Sequence, residues 1–505
     1  MGILGEIWDF FATNILTQPA YFVGLMVFVG YILMGKKWYD VLAGVIKAIV
    51  GYFILVVGSS GLVSNFRPIL VGLKDVFKID AMVIDPYFGQ NAVQAGVGKV
   101  FGRTFSEVMT LLLIAFIINI VLVRLKKFTK CRALFTTGHI QVQQASTAFW
   151  LILFALPILK NDIAVLIVMS IVLGLYWAVG SNLTVEPTQE LTNGAGFCMA
   201  HQQQFGVFIF SKIAEKMGAR EKAKGKESRR LEDIKLPGFM SIFNENMVCT
   251  SILMLIFFGL ILAVLGKPYM VKAGFLKATD NYFFYIVTTC LYFSVYLSIL
   301  QLGVRIFVTE LTASFQGIAD KLLPGSIPGV DCAVAFGFGS PNAVPIGFIS
   351  GALGQFVAII TLLLLKSPTL VIAGFVPVFF DNATIGVFAN HKGGAKAAII
   401  LPFFSGLVQV FGSAFIATFV GLSRFGGYLG MFDWATVWPI FTVVMKYLGL
   451  IGLALVVIFL ILIPQLQYRA NPEGYFACTE DYEKYAKLKG IEVEEDDWDD
   501  DDFDE

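Results

Sequence analysis

Long apolar segments, separated by shorter polar ones, recur along the whole chain. About ten of them approach or exceed the roughly 20 residues that a helix needs to cross a bilayer. They lie near residues 20–34, 41–57, 108–123, 148–158, 163–179, 247–265, 282–302, 346–365, 397–420 and 437–463. The pattern predicts an integral membrane protein with about ten spans, plus or minus two.

Four segments are too polar or too interrupted for plain spanning helices. They cover residues 58–91, 187–205, 323–345 and 375–394, and each carries Gly or Pro beside polar residues. This is typical of broken or re-entrant helices, which are tolerated at membrane depth only where protein or a water-filled cavity covers the backbone. The segments favour a transporter or channel-like interior over a receptor bundle.

Composition agrees with a membrane protein and argues against a catalytic or metal centre. Hydrophobic residues make up 57% of the chain and charged residues 15%. The six cysteines form no CxxC pair, which favours ordinary core residues over disulfides or zinc ligands. HxxxH, HExxH, Walker, GxSxG and dinucleotide motifs are missing, so we expect no metal, no cofactor and no catalytic residue in this chain.

Charge is balanced overall but unevenly distributed. Basic residues cluster at 36–37, at 124–132 and in the loop from 212 to 235, which holds nine Lys or Arg against five acids. The positive-inside rule places these clusters in the cytoplasm and the N-terminus outside. The loop also divides the chain into a first membrane half (1–211), a basic cytoplasmic loop (212–238), a second membrane half (239–465) and a cytoplasmic acidic tail (466–505).

Two halves of similar size suggest a duplicated transporter. Residues 62–69 can be laid on 311–318 with Leu, Phe and Ile matched at the same spacing. An odd number of spans per half would make the repeats inverted, with a binding site at their interface near mid-membrane.

The last fourteen residues, 492–505, contain eleven Asp or Glu. Such a block repels itself and stays solvated, so we interpret it as a disordered, solubilising tail. A docking strip for a basic soluble partner is the alternative.

The most informative polar residues surround the three histidines of the chain. On a helix, His139 and Gln143 share one face, with Gln144 flanking it. The run from His201 through Gln202 and Gln203 cannot face lipid and is better suited to a broken helix at a cavity, where amides meet a hydroxylated ligand.

Isolated acids in apolar surroundings are further candidates. An intramembrane carboxylate such as Asp331 is a functional candidate by default. Glu190, Glu310 and Asp381 are weaker, because each could pair or cap locally. His391 stands beside Lys392 and a Gly-Gly turn, where a structural role competes with a functional one.

Several strings resemble one transporter family, the ascorbate-specific enzyme IIC proteins of the phosphoenolpyruvate-dependent phosphotransferase system (PTS). The resemblance runs in order from about residue 22 to residue 463. It rests on Thr137-Gly138-His139-Ile140, Pro187-Thr188-Gln189-Glu190, Gly196-Phe197, His201-Gln202-Gln203-Gln204-Phe205, Pro341-Asn342-Ala343-Val344 and Asn382-Ala383-Thr384-Ile385-Gly386-Val387-Phe388-Ala389-Asn390-His391.

The resemblance implies an all-α integral membrane protein with about 11 transmembrane helices in two inverted repeats. It implies a core domain, a V-shaped dimerisation domain and a homodimer in the bacterial cytoplasmic membrane, with the C-terminus in the cytoplasm. The implied ligand contacts are Pro86, Tyr87, His139, Gln143, His201, Gln202 and Asp331. Gln144, Gln203, Glu190 and His391 are secondary candidates that rest on their polar character in apolar surroundings and not on the resemblance. Pro86 departs from the expected side chain, so it could contribute only through its backbone.

The implied function is inward translocation of L-ascorbate, coupled to phosphorylation by a soluble enzyme IIB that carries phosphate on cysteine and is supplied by enzyme IIA. The chain would be the transport subunit and not an enzyme, and nucleic acid is not an expected partner. An ion-coupled secondary transporter of a sugar acid or polyol, with Asp331 and the histidines as a proton relay, is the alternative.

Overall fold

The computed structural model describes residues 10–11, 14–15, 18–77, 81–159, 161–225, 230–232, 246–340 and 342–491. Within these residues the chain is mostly helical, as the apolar segments predict. The α-helices are α1 (Pro19–Leu33), α2 (Trp38–Phe77), α3 (Pro86–Phe101), α4 (Ser106–Arg124), α5 (Lys126–Thr129), α6 (Gly138–Ala155), α7 (Asp162–Leu191), α8 (Gln204–Ala223), α9 (Asn246–Leu265), α10 (Lys267–Lys272), α11 (Tyr282–Leu322), α12 (Ala343–Leu364), α13 (Asn382–Phe419), α14 (Phe432–Ala435), α15 (Val437–Ala470), α16 (Pro472–Glu480) and α17 (Tyr482–Lys489).

Several helices have the length and apolarity of membrane spans. Among the described residues, five stretches qualify: Trp38–Gly58, Asp162–Leu191, Ala343–Leu364, Pro377–Phe419 and Phe432–Ala470. Shorter apolar helices cover Val23–Leu33, Thr110–Arg124, Met254–Leu265 and Tyr282–Tyr296. These helices agree with the all-α class of membrane protein, whereas the expected number of about ten or eleven spans stays a prediction.

Short strands add a feature that the all-α expectation did not contain. They are β1 (Ala81–Ile84), β2 (Ala133–Phe135), β3 (Cys198–Met199), β4 (Ile327–Val330), β5 (Leu370–Ala373) and β6 (Gly427–Tyr428). The first sheet has the order β5-β1-β6 and the second sheet has the order β2-β4-β3. All pairings are parallel.

Each sheet contains strands from both halves of the chain. The central strand of the first sheet, β1, comes from the first half and its edge strands from the second. The second sheet reverses this arrangement, with β4 from the second half between two strands of the first. The long helices that precede the central strands, α2 and α11, also pack against each other.

Three of the four segments expected to interrupt helices do so. Helix α2 gives way to β1 and α3, α7 to β3 and α8, and α11 to β4 and a 3₁₀ turn at Cys332–Gly337. The fourth segment is helical over most of its length, but its helix is broken at the end, as the sequence predicts. It starts with a π-helical turn at Pro377–Asp381, continues as α13 and bends at Gly394, whose φ of 72° favours glycine.

The region after the last apolar helix does not begin as a free tail. Helices α16 and α17 lie within the range expected to form the tail, and they dock on the protein through buried tyrosines. The buried Arg132 side chain stacks 3.6 Å from the centroid of the Tyr475 ring, and Asn182 donates a hydrogen bond of 2.8 Å to the Tyr475 hydroxyl. The acidic block at 492–505 lies outside the described residues, as do residues 226–229 and 233–238 of the predicted basic loop. The first part of that predicted loop is not a loop, because helix α8 continues to Ala223.

Candidate functional site

The second sheet ends in the main polar cluster of the described structure. Because its strands are parallel, their carboxyl ends meet at one edge. His139 follows β2 at the start of α6, His201 follows β3, and Asp331 follows β4. The sheet therefore brings together three residues that are far apart in sequence.

Two threonine hydroxyls at the end of β2 hold this edge of the sheet together. The Thr137 hydroxyl donates to the carbonyl of Ala200 at 2.8 Å, and the Thr136 hydroxyl donates to the carbonyl of Gly329 at 2.7 Å. These bonds join the loop after β2 to the loop after β3 and to strand β4. Side chains carried on such mutually tied loops keep a defined relative geometry.

Asp331 lies between the two histidines. Its Oδ2 atom is 3.3 Å from His139 Nε2 and 3.9 Å from His201 Nε2, while its Oδ1 accepts a hydrogen bond from the amide of Ala333 at 2.9 Å. All three side chains are buried. The distance to His201 exceeds that of a direct hydrogen bond, so this contact is an electrostatic one.

Electrostatics favour a neutral His201 beside an ionised Asp331. Burial lowers the pKa of His201 in spite of the neighbouring carboxylate. Burial acts to raise the pKa of Asp331, but His201, His139 and the amide of Ala333 outweigh it and hold that pKa below its usual range. The cluster therefore brings a carboxylate and imidazole nitrogens together.

The glutamines surround the histidines in two different roles. Gln202 donates to Gln143 at 3.0 Å, so these two predicted contacts form one amide pair. Gln144 is structural in this arrangement, because it donates to the carbonyl of His201 at 3.1 Å and accepts from the Trp177 indole at 2.7 Å. Gln203 lies 2.7 Å from His201 Nδ1 through its Oε1 atom.

Two buried acceptor atoms in the cluster have no hydrogen-bond partner among the described residues. They are His139 Nδ1 and Gln202 Oε1. A carboxylate favours an N–H facing it, so neutral His139 carries its proton at Nε2 and leaves Nδ1 as an acceptor. Buried unpaired acceptors cost about 1–3 kcal/mol each, and hydroxyl groups of a ligand would satisfy them.

Pro86 and Tyr87 begin α3, after the central strand of the other sheet. The Tyr52 ring meets the Phe307 ring edge-on at 6.1 Å, and Phe307 meets the His139 ring edge-on at 5.8 Å. An aromatic path thus leads from Tyr52 of α2 to the cluster, and the role of Pro86 and Tyr87 in binding stays a prediction.

The secondary candidates Glu190 and His391 meet away from the histidine-aspartate cluster. Both line a cavity of about 620 Å³ that includes Arg230 and Lys392 and none of the cluster residues. Glu190 forms an ion pair with Lys392 and accepts a hydrogen bond of 2.5 Å from the Tyr485 hydroxyl. Glu190 is therefore paired with side chains that are distant in sequence, and so is Glu310, which pairs with Tyr31 and Lys47.

One set of residues in the cluster has metal-binding geometry. Ligand atoms of His201, Asp331 and Cys332 lie within 4.8 Å of one another. These donor types suit zinc. No sequence motif indicates this set, because His201 is far from the other two residues along the chain. Cys332 and four other described cysteines are buried and form no disulfide bond.

Sequence reasoning missed Asp433, which is fully buried beside the cluster. Its carboxylate accepts hydrogen bonds from the amides of Phe205 and Gly206, both at 3.1 Å. The signal was available, since Asp433 is an acid between Phe432 and Trp434, and the burial cost that marks Asp331 applies equally to it.

Comparison with known proteins decides the family. A family model described as the PTS system sugar-specific permease component matches residues 14–439. This chain belongs to that family. Its members are transport subunits and not catalytic enzymes, so the expectation of a transport subunit is confirmed at the level of the family.

A relative in Mycoplasma pneumoniae gives a finer similarity. Its name is "Ascorbate-specific PTS system EIIC component", and it is 32% identical to this permease component over 437 residues. The match covers 79% of this chain and 64% of the relative, so the chain spans somewhat less than two thirds of the relative's length. The resemblance found in the sequence motifs is thereby confirmed.

Proposed function

We propose that this permease component binds L-ascorbate at the cluster of His139, Gln143, His201, Gln202 and Asp331 and carries it inward across the membrane. The observation that supports this most directly is the pair of buried, unpartnered acceptors, His139 Nδ1 and Gln202 Oε1. The name of the Mycoplasma relative supports ascorbate as the substrate.

The chemistry of ascorbate fits such a cluster. The ligand is a monoanion rich in hydroxyl groups, so its O–H groups can donate to the free acceptors and to His201 Nε2. An ionised Asp331 would repel the anion unless a shared proton or a donor lies between them. In this proposal His139 Nε2, 3.3 Å from Asp331 Oδ2, supplies such a donor to the carboxylate.

The proposed transport cycle is vectorial. Ascorbate enters from outside and moves inward as a core domain shifts against a V-shaped dimer scaffold. A cysteine-phosphorylated enzyme IIB, supplied by enzyme IIA, then phosphorylates it at the cytoplasmic face. In this proposal the protein is a homodimer in the bacterial cytoplasmic membrane, with its N-terminus outside and its C-terminus in the cytoplasm.

Inverted repeats are part of the same proposal. The composition of the two sheets supports them, because each half of the chain supplies the central strand of one sheet and both edge strands of the other. The packing of α2 against α11, the two helices that carry the matching sequence segments, supports them further.

Isothermal titration of the purified protein tests the substrate. We expect saturable binding of L-ascorbate and none of galactitol at the same concentrations. The titration is repeated after treatment with a chelator, where unchanged affinity is expected because amide and imidazole groups hold the ligand. Loss of affinity on chelation, restored by zinc, would instead assign His201, Asp331 and Cys332 to a metal ion.

The second candidate function is an ion-coupled transporter, which is supported by the position of the Asp331 carboxylate between two imidazoles. Uptake into proteoliposomes distinguishes the two functions. The phosphotransferase mechanism requires phosphorylated enzyme IIB inside the vesicle and yields phosphorylated ascorbate. Accumulation of unmodified ascorbate driven by a proton or sodium gradient would favour the secondary transporter.

A further inference from the structure

The helix that follows the His201 loop has an unusual beginning. Gln203 is the N-cap residue of α8, yet its side chain makes no capping hydrogen bond. Its Oε1 faces His201 Nδ1 at 2.7 Å, and its Nε2 donates to the carbonyl of Phe380 at 3.5 Å. Gln203 therefore orients the His201 ring in place of capping its own helix.

Asp433, from a distant part of the chain, supplies the missing cap. Its Oδ2 accepts from the amide of Phe205 and its Oδ1 from the amide of Gly206, the second and third residues of α8. These are the donors that an N-cap side chain normally satisfies. The backbone amide of Asp433 also donates to the carbonyl of Gln202 at 3.4 Å, which ties α14 to the loop itself.

The carboxylate of Asp433 is held in turn by its surroundings. The Tyr176 hydroxyl of α7 donates to Oδ2 at 2.8 Å. The neighbouring residue Phe432 donates its amide to the Asp381 carboxylate at 2.7 Å, at the π-helical turn before α13. The cap is thus anchored to α7 and to the start of α13.

We propose that Asp433 is a positioning residue of the ligand site. By capping α8 from a distance, it leaves the Gln203 amide free to fix the ring and the tautomer of His201. The oxygen of Gln203 facing the ring places the proton of His201 on Nδ1. The Nε2 lone pair then faces the gap beside Asp331 as an acceptor. The link to ligand binding rests on the proposed function, whereas the link to His201 does not.

The tautomer of His201 gives a direct test. Protein labelled with ¹⁵N-histidine contains only three imidazoles, so the His201 signals can be assigned by comparison with His139→Asn and His391→Asn variants. We expect His201 in the Nδ1–H form in the wild type and a mixture of tautomers in Asp433→Asn, because an amide nitrogen there would repel an amide N–H of α8 and Gln203 would compete for the cap.

Two further variants serve as the positive and the negative control of this experiment. Gln203→Ala should change the same resonances directly. Asp481→Asn is the matched control, because Asp481 caps α17 by accepting from the amide of Lys484 at 3.1 Å, away from the cluster. His201 resonances that stay unchanged in Asp433→Asn while they move in Gln203→Ala would overturn the proposal.

Ligand affinity tests whether the effect runs through His201. We expect Asp433→Asn to weaken ligand binding by about tenfold and Tyr176→Phe, which removes only the hydroxyl donor, by about twofold to threefold. In a His201→Ala background the effect of Asp433→Asn should nearly vanish. Full additivity of the two substitutions would show that Asp433 acts otherwise, and the milder Tyr176→Phe keeps the test valid if Asp433→Asn fails to fold.

The two readouts separate this proposal from the proposed function. If ascorbate does not bind but the His201 tautomer responds to Asp433→Asn, the substrate assignment fails and the positioning role stands. If ascorbate binds normally in the wild type and the tautomer does not respond, the positioning role fails alone.

Discussion

The two sheets of the protein have related topology but end in different chemistry. In each sheet an aspartate follows the central strand and accepts a hydrogen bond from the amide two residues on. Asp331 accepts from Ala333 at 2.9 Å in the second sheet, and Asp85 accepts from Tyr87 at 3.0 Å in the first. The difference lies in what the other carboxylate oxygen meets.

In the second sheet that oxygen faces imidazoles from the loops after both edge strands. In the first sheet Asp85 Oδ2 accepts from the amide of Val376, just after the edge strand β5, at 3.3 Å. Gly374 makes this approach possible, since a Cβ there would clash with Cβ of Asp85. The loop after β6 continues with the apolar residue Leu429.

The comparison shows that the same strand arrangement can hold an aspartate in two ways. Asp85 is hydrogen-bonded to backbone amides by both carboxylate oxygens, whereas Asp331 has one oxygen that faces two histidine side chains. The pKa values of the two acids follow this difference. Burial raises the pKa of Asp85 to about 6 in spite of its backbone hydrogen bonds, whereas the histidines hold the pKa of Asp331 below its usual range. The side chains on the edge-strand loops therefore decide which sheet can receive a ligand.

Asp331→Ala should have the largest effect on ligand affinity. It removes the group that faces both histidines, and we expect a loss of about 3 kcal/mol in titration with ascorbate. Asp331→Asn should be milder, because the amide keeps an acceptor for Ala333 and can still hydrogen-bond. Abolished uptake in the Asn variant with uptake retained in the Ala variant would rule out the hydrogen-bonding role.

His201→Ala should follow, with a loss of about 2 kcal/mol, because a ligand hydroxyl is left unpaired in a dehydrated site. The third histidine offers a matched control, since His391 lines the separate cavity beside Lys392. Titration of His391→Ala should give wild-type affinity. Equal losses in the two variants would remove the cluster from the ligand site.

Gln202→Ala should cost about 1–2 kcal/mol and should not add to Gln143→Ala. The two amides share a hydrogen bond of 3.0 Å, so removal of either one disturbs the other. A double-mutant cycle on ascorbate affinity measures the coupling. Strictly additive losses would mean that the two glutamines contact the ligand independently or not at all.

The sequence revealed much of the cluster because burial of polar groups is costly. His139, Gln143, His201, Gln202 and Asp331 stood out as polar residues in apolar surroundings, and the structure groups them at one sheet edge. The sheets themselves could not be predicted. Their strands are two to four residues long and apolar, so their period cannot be distinguished from that of a neighbouring apolar helix.

The hydrogen-bond partners of individual residues also could not be predicted from the sequence. Nothing in the pattern pairs Asp433 with the start of α8 or Glu190 with Tyr485, because these contacts join segments separated by hundreds of residues. The same holds for helices α16 and α17, whose polar composition suggested a tail. Two buried tyrosines, Tyr475 and Tyr485, dock them instead.

Asp85→Asn should have the smallest effect on ligand affinity, within about twofold, because the Asp85 carboxylate accepts from the backbone amides of Tyr87 and Val376 and not from side chains of the ligand cluster. Its effect should appear in the pH dependence of stability. The pKa of Asp85 is about 6 in the folded protein and about 3.9 in an unfolded chain, so the folded state binds more protons between these values.

Wild-type stability therefore gains from Asp85 protonation at low pH and loses this contribution as the pH rises through about 6. The amide that replaces the carboxyl group cannot ionise, so the variant should lack this loss. The melting temperature of Asp85→Asn, relative to the wild type, is expected to be higher at about pH 7.5 than at about pH 5. If instead the difference is independent of pH and ascorbate affinity falls as far as in Asp331→Asn, the two aspartates have the same role and the contrast between the sheets is wrong.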